Sequence, residues 1–231
     1  WDDTYAYYTI GQGTETNYTD VRWNNDSVTE WLIHDNDTNT ISGSFGNDYT
    51  LGSNNDGEHV ASMSDLLVIF SGDITFSSNT YTLGANITIS EREKAYFPIP
   101  IEDGVTFDGD DKTITYTGTS DWTGLFTPVA SDTFTVKNIN FVMAGADIYQ
   151  GCGSIIGSGD SISGCVITVQ NCHSSASSTN STIETLGGGI VGNYFGYDGG
   201  TGLIEYCSNT IATSGQYTGG ICGSKCAHTN G

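Results

Sequence analysis

Between residues 72 and 116, apolar and polar positions alternate in short bursts. Ile74 and Phe76, Tyr81 and Leu83, and Ile87 and Ile89 each flank one polar residue. That period of two puts one face of a strand inward and the other outward. The run Phe107-Asp108-Gly109-Asp110-Asp111-Lys112-Thr113-Ile114-Thr115-Tyr116 then reads as strand, tight turn, strand. Further on the apolar residues come in doublets beside small residues: Gly124-Leu125-Phe126-Thr127, Ser154-Ile155-Ile156-Gly157, Gly189-Ile190-Val191-Gly192 and Gly220-Ile221-Cys222-Gly223. From Leu125 through Ile155 and Ile190 to Ile221 the steps are 30, 35 and 31. A second series, Val136-Lys137-Asn138-Ile139, Val169-Gln170-Asn171-Cys172 and Ile204-Glu205-Tyr206-Cys207, runs between them at steps of 33 and 35. Two motifs sharing one period predict stacked repeats. Because the units are strand-like, the expected fold is all-β, a solenoid of β-coils.

This pattern divides the chain in two. Residues 1–71 form an aromatic-rich β segment, a cap or assembly region, with three of the four tryptophans (Trp1, Trp23, Trp31) and turn clusters at 35–39 and 53–57. They show no helical period, except that Ser62-Met63-Ser64-Asp65 before Leu66-Leu67 reads as a helical turn or capped start. Residues 72–231 form the coils, with Leu125, Ile155, Ile190 and Ile221 as inward ladders. The glycines beside them sit where corners need positive φ or close backbone approach. About five coils at the inter-strand spacing make a rod about 25 Å long.

Composition narrows the partners. With 27 acidic against 6 basic residues the formal charge is −21, a field that repels phosphate backbones and anionic headgroups, so neither nucleic-acid binding nor membrane insertion is expected. The longest apolar run, Leu66–Phe70, is too short to span a bilayer. The chain starts at Trp1 with no visible leader, which reads as a mature, trimmed or fragmentary chain. All six cysteines, Cys152, Cys165, Cys172, Cys207, Cys222 and Cys226, lie in the last third. An even, clustered count suits disulfides of an oxidising compartment; the alternative is free thiols acting as small apolar fillers. Cys172 and Cys207 hold equivalent repeat positions, a separation that a disulfide accepts. Asn17, Asn25, Asn36, Asn86 and Asn180 fit the N-glycosylation rule. A chain this rich in Asn, Ser and Thr meets that rule several times by chance.

Candidate chemistry is sparse. Asp108, Asp110 and Asp111, with Asp103 nearby, are the best carboxylate cluster for glycoside hydrolysis, yet Asp-Gly-Asp-Asp is also ordinary turn chemistry. Cleavage of uronates needs cations at the substrate carboxylate, and the six basic residues are scattered. The same aspartates, or Asp35, Asp37 and Asp56, could supply oxygen ligands to Ca²⁺, but with no EF-hand spacing. Cys222, Cys226 and His228 lack the second ligand pair of a zinc site. No metal or other cofactor is expected. Trp122, Tyr194, Phe195, Tyr197 and Tyr217 lie in Gly-flanked, loop-like positions, either as exposed sugar-stacking rings or as covers for coil corners.

The order Tyr81-Thr82-Leu83-Gly84-Ala85-Asn86-Ile87-Thr88-Ile89, Phe97-Pro98-Ile99, the Phe107–Ile114 run and Gly124-Leu125-Phe126 resembles glycine-rich right-handed parallel β-helix repeats of the GLUG type. Gly188-Gly189-Ile190-Val191-Gly192 and Glu205-Tyr206-Cys207-Ser208-Asn209-Thr210 resemble the same family's recurring segments, although Tyr206 stands where that pattern has asparagine. The resemblance covers residues 72–231. It implies a right-handed parallel β-helix of an extracellular surface, such as an adhesin, fibre or coat, with no catalytic signature. The sequence stops at Asn230-Gly231 partway through a coil, so either further chain or another subunit is expected to complete that rung. The resulting expectation is a non-catalytic, glycosylated fibre subunit that self-associates head to tail, its Trp/Tyr-rich N-terminal segment docking on a neighbour's coil. The alternatives are an adhesin or carbohydrate-binding β-helix and, third, a polysaccharide-cleaving enzyme.

Overall fold

The computed structural model describes residues 62–158, 164–196 and 199–226 in full, and of residues 1–61 only the backbone of the strands. The chain divides into two compact units, Trp1–Asp65 and Leu66–Gly231. The first is an antiparallel meander of β1 (Tyr5–Gly11), β2 (Tyr18–Asn24), β3 (Trp31–Asp35), β4 (Thr40–Gly43) and β5 (Asp48–Thr50), in that order across the sheet. Its register sets Tyr8 opposite Val21 and Trp23 opposite Trp31. A small antiparallel pair follows, β6 (Gly52–Ser53) with β7 (His59–Val60). The capped start expected at Ser62 forms: the Asp65 carboxylate accepts the Ser62 N–H at 2.5 Å and its hydroxyl at 3.0 Å. A 3-10 turn, Met63–Asp65, then leads into the single-turn helix α1 (Leu66–Ile69). α1 packs on the first strand of the second unit. By packing, Leu66 is the first residue of the second unit.

The second unit is a parallel β-solenoid. Its strands are β8 (Ile74–Ser77), β9 (Thr80–Leu83), β10 (Ile87–Ile89), β11 (Ile99–Pro100), β12 (Val105–Asp108), β13 (Thr113–Tyr116), β14 (Phe126–Thr127) and β15 (Thr133–Met143). They continue with β16 (Val166–Ala176), β17 (Thr182–Ile183), β18 (Thr201–Glu205), β19 (Ser208–Asn209) and β20 (Ala212–Thr213). One parallel ladder stacks β9, β12, the first half of β15, the first half of β16, and β18. A second stacks β10, β13, the second halves of β15 and β16, and β19. A third runs through β11 and β14 and continues by single bridges at Ile156, Val191 and Cys222. Each ladder thus has five rungs, with about four turns of chain between the first and the last.

The repeats read from sequence are these rungs. Val136, Val169 and Ile204 stand opposite one another. The Leu125 N–H donates to the Ile155 carbonyl at 3.1 Å, Ile155 to Ile190 at 3.0 Å, and Ile190 to Ile221 at 2.9 Å. In the last three rungs the chain turns between the first two ladders through a single left-handed residue: Asn138 at φ 57, Asn171 at 51 and Tyr206 at 55. Asparagine tolerates this conformation better than other side chains, because its short amide bonds locally. Here the amides also stack: Asn171 Nδ2 donates to Asn138 Oδ1 at 3.0 Å, and Asn138 Nδ2 to Asp108 Oδ1 at 2.9 Å.

The interior tapers. In the first three rungs it is aromatic: Trp122 lies 4.7 Å from Tyr116, 5.3 Å from Phe141 and 5.5 Å from Phe97, ring to ring. Phe126 lies 5.0 Å from both Phe107 and Phe134. In the fourth rung Ile167, Val169, Cys172 and the Ser174 hydroxyl, which bonds the Ser154 hydroxyl of the rung before, fill the same space. Glycine serves close approach more than positive φ: a Cβ on Gly192 would meet the Gly151 carbonyl oxygen at 2.5 Å, whereas Gly124, at φ 111, needs both. The two ends of the stack differ. β8 turns back antiparallel on β9 through Ser78 and Asn79, both at positive φ, and closes the first rung's leading ladder. On the fifth rung Leu203, Tyr206 and Tyr217 are 45%, 79% and 75% exposed. No described helix is long and apolar enough to cross a membrane.

Candidate functional site

A shorter fourth ladder passes through Trp122, Ile148 and Ile183 and reaches Thr213 on β20. The Trp122 N–H donates to the Asp147 carbonyl at 2.8 Å, Ile148 to Thr182 at 2.9 Å, and Glu184 to Ile148 at 3.1 Å. Alternation puts Trp122, Ile148 and Ile183 wholly inside. It therefore sends their chain neighbours outward on successive rungs. Asp121, Asp147 and Glu184 are brought together in this way, each offering a carboxylate oxygen within 4.8 Å of the others.

Two of the three are held by residues of a neighbouring rung, Asp147 by the one after it and Glu184 by the one before. Asp147 Oδ1 accepts the Thr182 N–H at 2.6 Å and the Thr182 hydroxyl at 2.9 Å; Glu184 Oε2 accepts the Gln150 N–H at 3.0 Å. Beside Glu184 opens a shallow depression of about 340 Å³, lined by Gln150, Glu184, Thr185, Ser214 and Gly215. Tyr149, next in the chain to Gln150, is 48% exposed. The chemistry on offer in the depression is hydrogen bonding to hydroxyls by carboxylate, amide and hydroxyl groups. Three carboxylate oxygens are also the donor type that hard cations take.

The carboxylates singled out from sequence lie elsewhere and do structural work. Asp110 and Asp111 have φ 47 and 58, so Asp-Gly-Asp-Asp is the coil corner. Asp108 accepts the Asp110 N–H at 3.0 Å and pairs with Lys137 at 3.0 Å; Asp110 pairs with Lys112 at 2.9 Å. Burial works against the charge of Asp108, but the Asp110 N–H, the Asn138 amide and Lys137 outweigh it and leave its pKa below the ordinary value. Asp103 receives the Thr133 N–H at 2.9 Å. Asp35, Asp37 and Asp56, offered as Ca²⁺ ligands, have no described side chains.

Of the aromatic candidates, Trp122 is fully buried, with its indole N–H donating to the Ser154 carbonyl at 2.9 Å. Phe195 is buried as well. A Gly-flanked, loop-like context concealed that both point inward. Tyr194 receives the Lys225 ammonium, 2.7 Å from its hydroxyl. Tyr217 is exposed, and Tyr197 lies outside the described residues. Tyr149, exposed and next in the chain to Gln150 of the depression, was not singled out.

Among the cysteines, Cys222 and Cys226 form a disulfide. This uses both thiols of the zinc-like Cys222/Cys226/His228 grouping, and His228 lies outside the described residues. Cys165 and Cys172 are buried free thiols, Cys152 is buried, and Cys207 is a partly buried free thiol. The Cys172 and Cys207 positions adjoin as the repeat implied, but the sulfurs are not bonded. Burial raises the Cys165 thiol above its ordinary pKa. Of the sequons, Asn86 and Asn180 are exposed, with Asn86 Oδ1 accepting the Thr113 N–H at 2.8 Å. Asn17, Asn25 and Asn36 lie outside the residues whose side chains are described.

The Asp121, Asp147 and Glu184 cluster was missed because its members stand 26 and 37 positions apart, outside both recurring motifs. Only the register of the Trp122–Ile148–Ile183 ladder brings them together. No protein-family model, no curated protein and no solved structure matches the chain.

Proposed function

We propose that this chain is a non-catalytic structural module of an extracellular surface, a GLUG-like stack of β-coils that assembles end to end with copies of itself. The observation that carries this reading is the asymmetry of the stack. The leading ladder of the first rung is closed by β8, whereas β18 and β19 pair only with β16 among the described residues. An open strand edge carries main-chain donors and acceptors and is a template for another chain. The occupant is a second copy, whose β1 or β5, the outer strands of the antiparallel meander, supplies the pairing strand. The hydroxyl-rich acidic surface, the Cys222–Cys226 disulfide and the exposed Asn86 and Asn180 support placement outside the cell, with N-linked glycans on those two asparagines. Sedimentation and negative-stain micrographs of the intact chain test this. Concentration-dependent filaments that disappear in Leu203→Lys, a charge placed on the open edge, are the expected result. Dispersed monomers of the parent chain at high concentration would overturn the proposal.

A second reading, a carbohydrate-binding β-helix, is favoured by the depression beside Glu184 and the exposed Tyr149. Aromatic face plus carboxylate and amide is the chemistry that holds a sugar ring in water. On a glycan array, selective binding lost in both Tyr149→Ala and Gln150→Ala would support it, and an array blank for the parent chain would exclude it.

A further inference from the structure

Cys172 lies within β16 and Cys207 between β18 and β19. The register is fixed on either side of them: Gln170 stands opposite Glu205, and His173 opposite Ser208. The two cysteines therefore stack on consecutive rungs at the inter-strand spacing of about 4.8 Å, within the Cα separation a disulfide spans. They already touch: the Cys172 N–H donates to Cys207 Sγ at 3.4 Å. Cys172 is wholly buried, and its thiol donates to the Gln170 carbonyl at 3.4 Å. Cys207 sits on the outermost described rung and is only partly covered. Cys152 and Cys165 are buried at other positions of the coil.

We infer that Cys172 and Cys207 are a dithiol modification site for low-molecular-weight disulfides, which closes to a covalent bond between the fourth and fifth rungs. Cys207 attacks first because it alone of the two is reachable. Its thiol gives its proton to solvent, and the thiolate takes one sulfur of a small disulfide R–S–S–R, releasing one R–S⁻ that picks up a proton. The mixed disulfide on Cys207 then faces Cys172 across one rung. Cys172 loses its proton, attacks the Cys207 sulfur and expels the second R–SH. Two protein thiols are oxidised and one small disulfide is reduced to two thiols, so electrons and atoms balance. The environment divides the roles in the same sense. The neighbouring Cys172 thiol lowers the Cys207 pKa, while its contact with Cys207 and its own burial raise that of Cys172. Reactivity follows the thiolate, so Cys207 is the attacking group and Cys172 the resolving one.

The inference stands apart from end-to-end assembly and is tested on the intact chain. The reduced protein is exposed to oxidised glutathione, quenched with an alkylating reagent and mapped by peptide mass without reduction. The expected result is a cross-linked peptide joining Cys172 to Cys207, with Cys152 and Cys165 alkylated only after unfolding. In Cys172→Ala, Cys207 is expected to retain glutathione; in Cys207→Ala, Cys172 is expected to stay unmodified until the protein is denatured. Circular dichroism checks that both variants keep the parent β signal. Parent chain that keeps both thiols alkylatable after prolonged exposure would overturn the inference. So would glutathione held stably on Cys207 beside a free Cys172, because the stacked geometry would then not bring the sulfurs together.

Discussion

Trp122 shows how a single side chain can belong to the rod rather than to a ligand. Its ring contacts Phe97, Tyr116 and Phe141, and its one side-chain polar atom is paired with the Ser154 carbonyl on the next rung. Removing such a ring takes away both its apolar area and its contacts, at a cost of about 3–5 kcal/mol. Trp122→Ala is therefore expected to lower the denaturation midpoint strongly. Any loss of function in it would report unfolding rather than a missing contact surface, and circular dichroism melts separate the two. Glu91 gives a charge-based counterpart. Its carboxylate accepts the N–H groups of Ser120 at 3.0 Å and Thr119 at 2.7 Å, and these bonds lower its pKa below the ordinary value. The unfolded chain then binds the proton more readily than the folded one, so the stabilisation is complete above the unfolded pKa and is lost as pH falls through the folded one. Glu93 and Asp108, also lowered, act in the same direction; Asp132, raised by burial and by Asp103, acts oppositely. Melting temperature should fall on acidification below about pH 4, and less steeply in Glu91→Gln than in the parent. Equal slopes would remove Glu91 from the account.

At the scale of the strand and its corner, the decisive feature is the left-handed residue that lets β15 and β16 turn without breaking. Asn138 meets three demands at once: its φ is positive, its amide N–H₂ donates to Asp108, and its amide oxygen accepts from Asn171. Asn138→Ala loses both bonds and keeps the strained φ, so a destabilisation of about 2 kcal/mol is expected by denaturant titration. Asn138→Gly relieves the strain and should cost less. If Ala is no worse than Gly, backbone strain plays no part at this corner. In the inward ladder, Val191 is fully buried; Val191→Asp places an unpaired charge there and should cost about 3 kcal/mol or more. Unchanged melting would mean that the ladder is misassigned. Much of this architecture was legible in the sequence, because a rung needs the same aliphatic residue at the same place and the Gly-aliphatic doublets supply it at Leu125, Ile155, Ile190 and Ile221. The Asp-Gly-Asp-Asp corner was legible for a similar reason: few residues accept positive φ. The inward direction of Trp122 was not, since Gly-flanked aromatics look alike whether they cover a corner or fill a core. Nor was the Asp121, Asp147 and Glu184 grouping, because repeat lengths of 30, 35 and 31 hide which loop residues fall into register. The antiparallel meander of β1 to β5 has no repeat at all. Only its β-prone composition could be read.

At the scale of the whole stack, stability should run unevenly along the axis. Interior rungs lie between two neighbours, and the third carries Phe134, Val136, Ile139 and Phe141, all essentially inaccessible. The fifth has one neighbour among the described residues, and its inward aliphatic residues Ile204 and Ile221 are only half-buried, where Val136, Val169, Ile155 and Ile190 inside the stack are wholly buried. A one-dimensional array opens from the rung with the fewest contacts, and local opening there costs less than global unfolding. Native-state hydrogen exchange should show the amides of Thr201–Glu205 and Gly219–Gly223 exchanging first. The β15 amides should follow only with global unfolding. Copies joined end to end, or a Cys172–Cys207 bond, each add a tie to the fifth rung, but they leave different traces. Assembly would protect the outer edge of β18 in a concentration-dependent way. The covalent tie would protect the residues around Cys207 at any concentration and be reversed by reductant. A fifth rung that exchanges as slowly as β15 in dilute, reduced protein would contradict the open end on which the assembly proposal depends, whatever filaments the protein formed.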